Sequence, residues 1–139
     1  MQKDTEKAKT CLFQGHYTCV LCRGDVLYQS THRGVKPLLD FLDSGVDFTG
    51  FCAADKVVGR ATAFLYCLLG VKSLHAGVLS KPAKQVLEKH HIPVSYDCLV
   101  EGIRNREDTG PCPMEHATRD IHDPTEALAA IRKTLLTLS

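Results

Sequence analysis

The sequence has no tryptophan, few other aromatic side chains and almost no net charge. Seventeen basic side chains stand against sixteen acidic ones, so there is no electrostatic footprint for nucleic acid or for an anionic membrane surface. No apolar run approaches the roughly 20 residues of a membrane-spanning helix; the longest, Ala61 to Val71, is broken by Thr62. The first residues, MQKDTEKAKT, lack the apolar core of a secretory signal. A chain of 139 residues, 44% hydrophobic and 24% charged, has the composition of an ordinary soluble domain and length enough for one core. The expectation is one cytoplasmic domain over 1–139, with an N-terminal helix in 1–14 and neither nucleic acid nor membrane as partner.

Cysteine, by contrast, is abundant. The seven (Cys11, Cys19, Cys22, Cys52, Cys67, Cys98 and Cys112) are scattered and odd in number, which argues against a disulfide framework. Cys19 and Cys22 form a CxxC pattern, but the surrounding YTCVLC reads as a strand, where residues three apart point to opposite faces. No second pair with metal-ligand spacing follows. Most of the thiols are expected to be small core residues in a reducing cell.

The stretch GFCAADKVVGRATAFLYCLLGV, Gly50 to Val71, dominates the pattern. Val57, Ala61, Phe64, Leu65 and Leu68 recur at steps of three and four, which predicts a helix buried on several sides and stopped by Gly70. Asp55 then falls in the first turn, where the helix dipole and unpaired N–H groups favour a carboxylate. Before this stretch, Asp4 caps a helix over about 5–14. Tyr17–Cys22 and Val26–Gln29 form a hairpin around Gly24, and Gly34–Leu42 is a short amphipathic helix. After it, Lys72–Leu79 and Ile92–Tyr96 read as buried strands on either side of a helix from Ser80-Lys81-Pro82 to about His90, the spacing of a βαβ unit. Leu99, Ile103 and Arg104 suggest a helical turn, and EDTGP a loop. Helices over Cys112–Asp120 and Pro124–Leu136 follow, the last capped by Asp123. The fold class is α/β, a three-layer sandwich with a mixed sheet of about four or five strands.

Three segments in order, HYTCVLCRGDVLYQSTHRGVKPLLDFLDSG, FCAADKVVGRATAFLYCLLGVK and GIRNREDTGPCPMEHA, resemble the bacterial DUF1893 family of unknown function, over about Gly15 to Leu136. The resemblance implies a cytidine-deaminase-like fold. In a cytidine deaminase one helix opens with His/Cys-Ala-Glu and a later one with Pro-Cys-x-x-Cys, and zinc and the proton-shuttling glutamate lie between them. Here the implied positions hold Ala53-Ala54-Asp55 and, after Pro82, Ala83 and Val86. Alanine and valine cannot bind zinc. The resemblance therefore implies the fold without the metal, and neither metal nor cofactor is expected.

Three residues carry the chemical readings. Cys112 precedes a helix beginning at Pro113, where dipole and free N–H groups favour a thiolate; Glu115, at capping-box spacing, reaches back to that helix start or serves as an acid or base. Asp55 carries a proton or caps its helix. Lys56, Ser80, Lys81 and Arg104 are candidate ligand-binding residues. His116 with Asp120 has metal-ligand spacing but also the look of an exposed polar face, and His75 reads as a satisfied core histidine. Together these point to a pocket among the helix starts at Asp55, Pro82 and Cys112, binding a small anionic or nucleotide-like ligand. The alternative is an enzyme with Cys112 as nucleophile and Asp55 or Glu115 moving protons. Exposed strand edges leave room for a homodimer.

Overall fold

Short hydrophobic runs separated by glycine and proline fold here into alternating strands and helices. The computed structural model describes residues 2–32, 34–104 and 112–138. In chain order the elements are α1 (Gln2–Gly15), β1 (Cys19–Arg23), β2 (Val26–Ser30), α2 (Lys36–Asp43), β3 (Cys52–Val58), α3 (Arg60–Leu69), β4 (Ser73–Ser80), α4 (Lys81–Lys89), β5 (Val94–Val100), α5 (Pro113–Thr118) and α6 (Pro124–Leu138). The sheet runs β2-β1-β3-β4-β5, with β1 antiparallel to both neighbours and β3, β4 and β5 parallel. It is the mixed α/β sandwich expected, with five strands.

The stretch from Gly50 to Val71 is two elements. Residues 52–58 form a strand and the helix opens only at Arg60, so Asp55 is in the middle of β3 and not in a first helical turn. A strand paired on both edges and covered on both faces over most of its length loses its alternation; Ala53, Ala54 and Val58 are buried, and with the exposed Val57 they imitate a helical stripe. Gly59 separates the two elements. The expected end of the helix is observed: Gly70 takes the left-handed conformation (φ 77°) and its N–H reaches the carbonyls of Tyr66 and Cys67. β5 also runs further than Tyr96, and Leu99 is one of its residues rather than part of a helical turn. The EDTGP loop lies outside the described residues. None of the described helices is long and apolar enough to cross a membrane.

α1 alone packs on one face of the sheet, over β1 and β3, where Ala8 and Leu12 meet Val20, Cys22 and Ala54. The main core lies on the other face. There α3 touches α2, α4, α5 and α6, and Phe64, Leu65 and Tyr66 are wholly buried. Cys19 and Cys22 point to opposite faces, as alternation requires: Cys22 joins the α1 core, while Cys19 interacts with Tyr66. All seven cysteines are free.

Candidate functional site

The parallel strands β3, β4 and β5 end side by side at Val58, Ser80 and Val100, and α3 and α4 begin there. In open α/β sheets the crevice beyond the carboxyl ends of the strands is the usual ligand position. A cavity of about 350 Å³ occupies it, lined by Arg60, Pro82, Gln85, Glu101, Ile103, Glu115 and Arg119, together with Gly102.

Gly59, the residue before α3, offers no side chain to cap its helix. Glu115 does so from α5: its carboxylate accepts the backbone N–H groups of Arg60 and Ala61. A Cβ on residue 59 would collide with that carboxylate and press on Ile103, so glycine is what lets the two helices approach. Glu115 therefore does not close a capping box on its own helix, and the backbone N–H of Cys112 is satisfied by the carbonyl of Ile103 at 2.9 Å. Burial pushes the Glu115 carboxyl above the usual carboxylate range, opposed by the Arg60 N–H and guanidinium.

Arg60 returns the connection. Its Nε donates to the carbonyl of Thr118 at 2.8 Å and its Nη2 to that of Ile121, with the guanidinium 5.1 Å from the centre of the Phe64 ring. The group thus caps the end of α5 while its base lies in α3. Arginine suits the place because its fork serves several carbonyls and stays charged when buried. Arg60 and Glu115 together lock α3, α5 and the turn before α6 into one wall of the cavity. Arg119 stands exposed beside them at the cavity.

The candidate residues do not all converge. Ser80 is buried and caps α4 through the N–H of Ala83 at 3.1 Å. Lys81 is exposed and held by Glu101 at 2.6 Å, at the cavity rim. Lys56 and Arg104 are exposed and do not line the cavity. Cys112 is at the start of α5, half-buried against the main core, and does not line it either. His116 is exposed. The sequence reading passed over Arg60, Arg119 and Gln85. An arginine at the opening of an otherwise apolar helix was the available signal.

Asp55 belongs to a separate buried group. It is 9% exposed, paired in register with Cys19, and accepts the Tyr66 hydroxyl at 2.7 Å and the Val57 N–H at 3.2 Å. Burial raises its carboxyl to about 7, against the hydrogen bonds that favour the charged form. Burial first, and then Asp55, likewise push the Cys19 thiol and the Tyr66 phenol above their ordinary values. Asp55 is not among the cavity residues. With the strand where it is, the helix starts that would hold a deaminase's zinc carry Gly59-Arg60-Ala61 and Lys81-Pro82-Ala83. Neither set offers a cysteine, histidine or carboxylate.

No curated protein matches the sequence. Among solved structures, the crystal structure of a DUF1893 family protein from Thermotoga maritima is similar, with a TM-score of 0.87 at 22% identity, covering 96% of this chain and 90% of that one. The likeness shows a shared fold. The model of the domain of unknown function DUF1893 matches residues 7–135, nearly the whole chain, and this protein belongs to that family.

Proposed function

We propose that the protein binds a small polar ligand, anionic or nucleotide-like, in the cavity beyond the ends of β3, β4 and β5. The observation that carries this reading is the convergence of Arg119, Gln85 and the half-buried Glu115 carboxyl on one cavity at the opening of two helices. Arg119 supplies the charge for a phosphate or carboxylate. Gln85 offers a donor and an acceptor. Glu115, drawn toward its protonated form by burial, can accept a hydrogen bond from a ligand or donate one. The N-terminal amides of α3 are already taken by Glu115, so the anion is met by Arg119 rather than by that helix. A β-hairpin followed by strand-helix-strand-helix, with both helices opening on the cavity, also supports the deaminase-like reading of the fold. Seven free thiols suit a reducing, cytoplasmic setting.

The test is a thermal melt with a panel of nucleoside monophosphates and small carboxylates at millimolar concentration. A ligand at 100 times its Kd stabilises the folded state by about 2.7 kcal/mol. At least one member should raise the melting temperature, Arg119→Ala should remove that rise, and Cys112→Ser should leave it intact. No shift from any member, or a shift indifferent to Arg119, overturns the reading. Loss of the shift in Cys112→Ser would move the site to the thiol and favour the nucleophile reading.

A further inference from the structure

On the opposite face of the sheet, three side chains outside this cavity form a chain of hydrogen bonds. His75, in the middle of β4, is 3% exposed. Its register partner on β5 is Ser95, whose hydroxyl lies 2.8 Å from Nδ1 of the imidazole. Asp97, two residues further along β5 and therefore on the same face, lies 3.4 Å from Nε2. Ser95 is exposed, and Asp97 half so. α1 packs mainly over β1 and β3 and reaches β4 at Ser73, where the Thr5 and Ser73 hydroxyls meet, while Ser95 and Asp97 on the edge strand β5 stay exposed. Beside the trio, opposite Asp97, stands Gly77, where a Cβ would collide with the backbone carbonyl of Lys56. No side chain fits there, beside Asp97. Lys56, exposed, is the neighbour across that glycine.

A hydroxyl within hydrogen-bond reach of an imidazole, itself oriented by a carboxylate, is the arrangement that activates a serine. With Nε2–H directed at Asp97, Nδ1 is the acceptor for the Ser95 proton, and burial of the ring holds that tautomer in place. We infer that Ser95, His75 and Asp97 form a second, nucleophilic site that takes an acyl group from an activated carboxylic ester. Ser95 Oγ bonds to the carbonyl carbon as its proton passes to His75 Nδ1. The bond to the leaving alcohol breaks, and the alcohol departs with that proton. Water then attacks the acyl carbon and gives a proton to Nδ1, and Ser95 Oγ leaves with it as the carboxylic acid is released.

The test uses the folded full-length protein, a fluorophosphonate probe and p-nitrophenyl acetate. The probe should attach to the peptide carrying Ser95 about a hundredfold faster than to the same chain unfolded in urea, the size of a general-base contribution. Ser95→Ala should abolish that adduct and the ester hydrolysis. Asp97→Asn, at an exposed position that leaves the fold intact, should slow labelling of Ser95 about tenfold or more. Labelling spread evenly over serines and tyrosines, or undiminished in Ser95→Ala, overturns the inference. So does an Asp97→Asn variant that reacts as fast as the unaltered protein.

Discussion

On one face of the sheet a single helix, α1, lays Ala8 and Leu12 over Val20, Cys22 and Ala54. On the other, α3 is enclosed by four helices and carries Phe64, Leu65 and Tyr66 at almost zero exposure. The first face is covered by a single helix; the second is a packed interior in which α3 has a helix against it on four sides. The same contrast divides the polar groups. Beside α1, the buried His75 is bonded to Ser95 and Asp97 at the surface, whereas on the α3 face the buried Asp55 and Arg60 and the half-buried Glu115 are all bonded into the scaffold.

The difference is sharpest for equal truncations. Leu65→Ala in the enclosed core should destabilise by about 4 kcal/mol, and Leu12→Ala by about 2.5, because α1 can settle into the space it leaves. Urea unfolding of both variants measures this, and equal losses would erase the distinction.

Next in size is a pH effect confined to the enclosed face. Asp55 holds its proton more tightly folded, at about 7, than unfolded, near 3.8. Its contribution is thus fully present below about pH 4 and is lost as the pH rises through 7. Each unit of that shift corresponds to about 1.4 kcal/mol. Asp55→Asn, always neutral, should nearly match the unaltered protein at pH 4 and exceed it by about 4 kcal/mol at pH 8. Parallel pH profiles in urea unfolding would show that the carboxyl is not held in its neutral form.

Gly59→Ala should cost about 2 kcal/mol by driving Glu115 from the start of α3, with faster hydrogen exchange at the Arg60 amide as its particular sign. Unchanged exchange there would mean that the carboxylate is not the cap. Smallest of all, Lys81→Met, which removes an exposed pair with Glu101, should change stability by less than about 0.5 kcal/mol. A loss comparable to that of Gly59→Ala would mark the rim as part of the fold's support.

The contrast between faces also explains what the sequence made legible. The hairpin, β4 and α4 were readable because their ends carry local signals: Gly24 in the turn, Ser80 and Pro82 at the helix start. α6 likewise shows Asp123 at its opening, where the carboxylate accepts the Glu126 N–H at 3.0 Å. β3 was not legible. Its two apolar faces and the helix after it give one continuous hydrophobic pattern, and only Gly59 marked the boundary. Misplacing that boundary by a few residues carried Asp55 to a helix terminus and, with it, toward the site. The cap from Glu115 was beyond any local pattern, since its partner lies 55 residues away. The spacing of three from Cys112 to Glu115 suggested a cap on its own helix, but the N–H groups that this carboxylate accepts are those of Arg60 and Ala61.

That long-range cap has a bearing on the order in which the molecule assembles. The strands of the sheet come from the first 100 residues, but the wall that joins Arg60 to Glu115, Thr118 and Ile121 waits for chain that follows. Contacts of such sequence separation form late because the intervening loop must first be closed. During synthesis the sheet can be complete while the cavity beside it is still open on one side. A ligand that needs this wall would meet it only after the chain from Pro113 onward has docked.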